Sequence, residues 1–297
     1  MNIVIYNDTR PYHCGSEAVM AFLEGVLVAQ GHTLRGGYLN YGNLHSKAIE
    51  QRGGVARIPI SADDLAWCDA VLVNGEGGGA ARWTLRAIEG AQRAGKRTYL
   101  VNALWPERAH ADWTPLLPSL TEIGLRGDIS LRYCRNHGAV SASSWLDFSY
   151  FLELADSPLF LDFNGSEVFG DFYEAEPERE TLQAAFDGWP CLPMLPRVCG
   201  WDYFVKSLST ASLYVTGRHH GMYAACKART PFVVYKRENH KILDLFESAG
   251  VSIPYPTSRD DLVAAVAWAR ANRDVYFRLF DWMEAQPVWP GLPEGAG

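Results

Sequence analysis

The chain has 297 residues, 48% apolar and 21% charged, and its 27 Lys and Arg against 34 Asp and Glu give a formal net charge of -7. That length exceeds one small core and fits about two domains. The acidic balance argues against general binding of nucleic acid or anionic membrane, which needs dense positive charge, but leaves room for a local basic pocket that takes a small anion. In chain order, Ile3–Tyr6 reads as a buried strand. Ser16–Gln30 has helical period, with Val19, Met20, Phe22, Leu23, Val26 and Leu27 on one face and Gly31 in the C-cap position. Val71–Asn74 is a second strand running into the glycine-rich turn Gly75–Gly79, followed by a helix from Trp83 to Gly95 and a third strand, Thr98–Ala103. Pro115–Asp128, with its prolines and glycines, reads as a domain junction.

Beyond that junction Ile129–Tyr133, Leu159–Phe163, Leu213–Thr216 and Pro231–Tyr235 have strand character. Trp201–Ser209, Gly221–Ala228, His240–Ala249 and Leu262–Asn272 have helical period. Ser258 with Asp261 three residues on is a capping-box-like helix start, and Tyr173–Glu180 reads as an acidic, solvated connection. Strands alternating with helices predict an α/β fold with mostly parallel sheets. In such sheets ligands bind beyond the carboxyl ends of the strands, where loops meet helix N-termini.

Three strand-to-helix turns carry polar chemistry. In Leu213–Met222 an apolar strand ends at Gly217 and a helix is expected just after His220. Free backbone N–H groups there favour an anion, Arg218 adds a planar charged fork, and an adjacent histidine exchanges a proton near neutral pH. The second turn, Asn74–Gly79, lets backbone approach a ligand closely. It is not a dinucleotide fingerprint, and Glu76 is placed either to accept from sugar hydroxyls or to cap a helix. The third, Asn7–Glu17, offers Asp8, His13 and Glu17, while Ser16 fits a helix cap.

The run Val215-Thr216-Gly217-Arg218-His219-His220-Gly221, then Ala224-Ala225, Thr230-Pro231-Phe232-Val233-Val234, Lys241 and Gly250, resembles the C-terminal signature of polysaccharide pyruvyl transferases. There a Gly-Arg-x-His-Gly turn precedes a small-residue helix, a Pro-led strand and a downstream lysine. On this register His220 matches the family histidine and His219 the variable position. Weaker matches are His13–Ala18, Val73–Gly77, Ser130-Leu131-Arg132 and Leu146–Ser149. The resemblance implies a GT-B-like pair of Rossmann-like domains facing a cleft. Residues 1–122 would be the acceptor side and 123–297 the donor side, with the last helix free to pack back on the N-terminal domain.

It further implies transfer of the carboxyethylidene group of phosphoenolpyruvate onto two hydroxyls of a glycan sugar. The product is a pyruvate ketal in exopolysaccharide or cell-surface glycan biosynthesis, with phosphoenolpyruvate as donor substrate and no separate cofactor. On that basis His220 and Arg218 are the expected catalytic residues. Gly217, Arg218, His219, Gly221, Lys241 and Arg132 are expected at the donor, and Asp8, His13, Glu17, Asn74 and Glu76 at the acceptor. The partners are phosphoenolpyruvate and a sugar or lipid-linked oligosaccharide, with peripheral membrane association where the acceptor is lipid-linked.

Two other readings compete. A GT-B glycosyltransferase using a nucleotide sugar would need an acidic residue for the ribose hydroxyls, and Glu238 is the candidate. A non-catalytic carbohydrate-binding relative would have a degraded anion site, whereas Arg218, His220 and Lys241 are all present. No metal site is expected, because neither clustered carboxylates nor histidines at ligand spacing stand out. Trp83, Trp105, Trp113 and Tyr12 lie on or beside N-terminal loops where a sugar would stack, and His32, His45, His110 and His137 read as surface or loop residues. Cys14, Cys68, Cys134, Cys191, Cys199 and Cys226 show no CxxC or zinc spacing, as expected of reduced thiols. The N-terminal MNIVIYND lacks the basic region of a signal peptide, and no apolar run approaches ~18 residues, so a cytoplasmic protein is expected.

Overall fold

The computed structural model describes residues 1–38, 60–77, 80–156, 159–172, 178–194, 199–235 and 240–293. His45, Gly78, Gly79, Glu238 and most of the Tyr173–Glu180 stretch lie outside the described residues. Contacts divide the chain into two compact units. One comprises Met1–Tyr12, Val19–Phe151 and Pro287–Gly297, the other His13–Ala18 and Leu152–Gln286.

The first unit is built on a six-stranded parallel sheet of β1 (Asn2–Tyr6), β2 (Thr33–Tyr38), β3 (Ala70–Asn74), β4 (Arg97–Ala103), β5 (Glu122–Arg126) and β6 (Ala142–Trp145), in the order β2-β1-β3-β4-β5-β6. Its central strands are covered on both faces, which is why Ile3–Tyr6 and Ala70–Val73 are continuously apolar and buried. The helices are α1 (Cys14–Ala29), whose first turn belongs to the second unit, α2 (Ala62–Trp67), α3 (Arg82–Arg93), α4 (Asp128–Asn136) and the single turn α5 (Phe148–Phe151). Gly31 stops α1 with a φ of 77°, the left-handed conformation that a glycine tolerates. Strand order reverses between β1 and β3, so the first unit has a doubly wound switch point there, the place where such sheets open a crevice.

The second unit holds a parallel sheet of β7 (Glu167–Phe169), β8 (Leu213–Thr216) and β9 (Phe232–Val234), in that order. Its helices are α6 (Glu178–Ala184), α7 (Trp201–Leu208), α8 (His219–Lys227), α9 (His240–Ser248), α10 (Arg259–Ala271) and α11 (Arg273–Glu284). Ser258 caps α10 as its spacing predicts, its Oγ accepting from the Asp261 amide at 3.2 Å.

Several expectations need correction. The Pro115–Asp128 stretch is not a junction. Its end forms β5, and β6 extends the same sheet, so the first unit runs to Phe151 rather than stopping at residue 122. Ile129–Tyr133 is helical. Ile129, Ser130 and Cys134 are the buried positions of α4, a helical spacing that alternation of Ile129, Leu131 and Tyr133 had imitated. Leu159–Phe163 forms no strand, because its amides are bound by side chains: Leu161 N donates to Ser207 Oγ and Phe163 N to Thr210 Oγ1, both at 2.9 Å. Not the last helix but the tail after it belongs to the first unit, where Trp289 stacks on Phe148 with ring centres 4.9 Å apart. Trp105 and Trp113 are not a sugar platform: both are fully buried and meet edge to face at 5.1 Å in the first core. Among the described residues no helix is long and apolar enough to cross a membrane.

Candidate functional site

In the first unit the buried polar residues gather at the carboxyl ends of the strands. At the switch point, Asn7 leaves β1 with a φ of 68°. Its Nδ2 donates to the carbonyls of Asn74 (2.8 Å) and Glu76 (3.0 Å) just beyond β3. Asn74 is buried, its Nδ2 donating to Thr9 Oγ1 at 3.2 Å and its Oδ1 accepting from the Glu76 amide at 3.2 Å. The Thr9 hydroxyl in turn donates to the Glu76 carboxylate. Gly75 is required here: a Cβ at that position would overlap Ala103 at the end of β4. Asp8 is buried and bound by the Arg10 guanidinium at 2.5 Å, an internal ion pair. Of the three carboxylates expected at the acceptor, Asp8 is thus held by Arg10 of its own loop and Glu76 by Thr9 of the loop after β1.

Two strands further along, the sequence reading missed a charged group. Arg126 ends β5 with only 3% of its surface exposed. Its Nη1 donates to Asp147 Oδ2 at 2.5 Å, while Asp147 Oδ1 accepts from the amide (2.9 Å) and hydroxyl (2.6 Å) of Ser149. Asn102, near the end of β4 with a φ of 52°, accepts the Phe148 amide on its Oδ1 at 3.2 Å, so it and Arg126 hold consecutive residues of one loop. Arg126 Nε and Nη2 and Asn102 Nδ2 are buried without a hydrogen-bond partner among the described residues. Buried donors are normally matched, and a guanidinium left with a free edge suits a carboxylate or phosphate. Arg132, chosen from sequence for the donor, is instead exposed on α4, because that helix buries Ile129, Ser130 and Cys134. It belongs to the first unit, whereas the other expected donor residues belong to the second. The available signal was the position of Arg126 between an apolar strand and Gly127-Asp128.

In the second unit β8 ends in Thr216 and α8 begins at His219, two residues earlier than the sequence suggests, so both histidines lie in its first turn. Arg218 is the N-cap: its amide donates to Thr216 Oγ1 at 3.0 Å and its Nε to Asp171 Oδ2 at 2.7 Å. Asp171 follows β7 and also accepts the Met194 amide at 2.9 Å, which fixes the carboxylate that orients the guanidinium. Gly217 permits this approach, since a Cβ would come within 2.8 Å of Phe172 Cα. Gly221 sits equally close to Thr216, with 2.9 Å between the Cβ position and Oγ1.

Arg218, His219 and His220 are all buried. The His220 ring meets His13 edge to face at 4.9 Å and His219 at 5.2 Å, and His219 meets Tyr223 at 4.9 Å. His13 and Glu17, expected at the acceptor, belong to the second unit. His13 accepts the Ser16 amide on Nδ1 (3.2 Å), and Gly15 lies directly against His220. Lys241 is in the first turn of α9 and half-buried. The second unit therefore joins a fixed arginine, helix-end N–H groups and two buried histidines, a combination able to hold an anion and move a proton.

No protein-family model and no curated protein sequence matches the chain. Solved structures do resemble it. The S. aureus protein MnaA, solved with UDP, is 11% identical over 94% of this chain and 90% of its own, with a TM-score of 0.64. The Neisseria meningitidis UDP-GlcNAc 2-epimerase bound to UDP-GlcNAc is 10% identical over 94% of each chain, TM-score 0.59. The kitacinnamycin glycosyltransferase is 14% identical over 95% and 94%, TM-score 0.55. The chain thus has the α/β, parallel-sheet architecture of GT-B-like proteins, as expected.

Proposed function

We propose that this chain is an enzyme of sugar or glycan chemistry that binds a phosphorylated anionic donor at the Gly217–Gly221 turn. The finer reading is ketal-forming pyruvyl transfer from phosphoenolpyruvate. The observation that carries it is the buried Arg218-His219-His220 run at the start of α8, in the residue pattern shared with pyruvyl transferases. Phosphoenolpyruvate presents a carboxylate and a phosphate, so its site needs oriented cations and backbone donors. Arg218, held by Asp171, and the first turn of α8 supply them, and Lys241 is the further cation proposed.

In the reaction the enol CH2 takes a proton and a sugar hydroxyl attacks the adjacent carbon. Phosphate leaves with the electrons of its C–O bond, and a second hydroxyl closes the ketal, losing its proton. His220 is assigned the proton transfers, worth about 10²–10⁴-fold in rate. The sugar or lipid-linked acceptor, a cytoplasmic setting and peripheral membrane association follow from the same reading.

A second reading, an enzyme using a nucleotide sugar, is favoured by the fold: the similar structures include proteins solved with UDP and with UDP-GlcNAc. Thermal denaturation with each ligand separates the two. At about 100 times its Kd a ligand stabilises by about 2.7 kcal/mol, a rise of several degrees in Tm. The first reading expects this rise with phosphoenolpyruvate and its loss in Arg218→Gln. A rise with UDP or UDP-GlcNAc alone rejects pyruvyl transfer. His220→Ala is expected to keep the fold and abolish ketal formation, and retained turnover removes His220 from the mechanism.

A further inference from the structure

Within the second unit a cavity of about 360 Å³, the size of a small-molecule site, lies between the segment Pro254–Pro256 and α10. Leu262, Val266 and Ala269 turn that helix toward the core. Asp261, Ala264, Ala265 and Trp268 line the cavity at the i, i+3, i+4, i+7 spacing of an adjoining face. Two turns of helix separate Asp261 from Trp268 by about 10 Å along the axis, and the alanines between them are too short to fill the space. Both walls are fixed. The Tyr235 hydroxyl donates to the Thr257 carbonyl at 3.1 Å, and Ser258 caps α10 where the opposite wall ends. The Trp268 ring meets Tyr276 edge to face at 6.1 Å, and Asn272 Nδ2 donates to the Trp268 carbonyl at 2.8 Å. The hollow is therefore formed before any ligand arrives.

The groups it presents select the ligand. Tyr255 and Trp268 are half-buried, so each keeps part of its surface open. Among the described residues the Asp261 carboxylate and the Trp268 indole N–H have no hydrogen-bond partner, which leaves one charged acceptor and one donor. Asp261 stands in the first turn of α10, where the helix dipole already offsets its charge, so a cation is not required. An anion is disfavoured by Asp260 and Asp261 together. A neutral ligand with an apolar face for the rings and hydroxyls for the carboxylate satisfies all of these groups. We propose that this cavity is an ancillary carbohydrate site for one neutral pyranose unit of a glycan. The sugar's CH face packs on Trp268 and Tyr255, and its hydroxyls donate to Asp261. Its role, retaining a glycan on the enzyme, rests on the reading above as an enzyme of sugar or glycan chemistry; the binding itself does not.

The test follows the indole N–H signals of the full chain by NMR during titration with methyl β-glucopyranoside, methyl β-galactopyranoside and methyl α-mannopyranoside. Trp268→Phe identifies the Trp268 signal by its disappearance. The expected result is saturable movement of that signal with at least one glycoside, at the millimolar Kd of so small a ligand. Asp261→Ala is expected to weaken binding by about 10-fold or more, the scale of a hydrogen bond to a charged group. Ala264 is exposed and leucine is a good helix former, so Ala264→Leu is expected to keep the Tm, fill the hollow and abolish the response. A Trp268 signal that no glycoside moves, or one whose movement survives Ala264→Leu, overturns the site. Saturation by tetramethylammonium or by an oligoproline peptide in place of the glycosides overturns it as well. Arg218→Gln is expected to leave the Trp268 response intact, so failure of this site and failure of the donor assignment are read separately.

Discussion

Both carboxylate oxygens of Asp147 are engaged, one by Arg126 and one by Ser149, so removing its charge strands a buried guanidinium. Breaking such a pair by removing one partner costs about 3–5 kcal/mol. Asp147→Asn is therefore expected to lower the free energy of unfolding by that amount, read as a lower urea midpoint, and an unchanged midpoint would show that the pair is not buried in solution. Glu122 poses the opposite problem. Burial raises its pKa, with the Trp289 indole N–H donating to Oε1 at 3.2 Å as the opposing influence, and Oε2 is buried without a partner among the described residues. An acid with a raised folded pKa contributes stability that is present below its unfolded value of about 4.3 and is lost as pH rises through the folded value. Glu122→Gln keeps an acceptor for Trp289 and removes the buried charge. Thermal scans are expected to show a higher Tm than the wild type at neutral pH and a flatter decline as pH rises above the unfolded value.

At the scale of elements, two helix starts meet: the first turn of α1 presses on the first turn of α8 through Gly15 and His220. A methyl group at Gly15 would overlap the His220 Cβ, and overpacking of this kind costs about 1–3 kcal/mol. Gly25, on the exposed side of the same helix, has nothing within 4 Å of its Cβ position. Alanine there should stabilise by about 0.5–1 kcal/mol through helix propensity. Opposite changes in Tm for Gly15→Ala and Gly25→Ala would confirm the contact, and equal changes would refute it. The contact also explains why His13 groups with His220 in the second unit. A loop that reads as one polar run from Asn7 to Glu17 divides between two units within a few residues.

At the scale of the molecule, the first unit is discontinuous and is completed by the chain end. Trp289 is buried against Phe148, and Gln30 binds the Leu292 amide through Oε1 at 3.0 Å and its carbonyl through Nε2 at 3.0 Å. Trp289→Ala should cost about 3–5 kcal/mol, as large aromatic truncations in cores do. Calorimetry is expected to show the loss in the transition of the first unit, and an unchanged thermogram would mean that the tail adds no stability. The strands β1, β3, β4, β8 and β9 were legible in the sequence because buried parallel strands are continuous apolar runs, and the Gly217–Gly221 turn because its residue types are chemically unusual together. β5 and β6 were not legible: Glu122–Arg126 is short and glycine-containing, and Ala142–Trp145 is a polar edge strand, so neither carries a period. Local residue pattern thus determined the α/β class and the anion-ready turn. Only the tertiary structure decided that Arg126 and not Arg132 is the buried cation and that Asp171 holds Arg218. It also decided that His13 lies beside His220. Those pairings join residues far apart in the chain, and burial and ion pairing across such separations leave no trace in local periodicity.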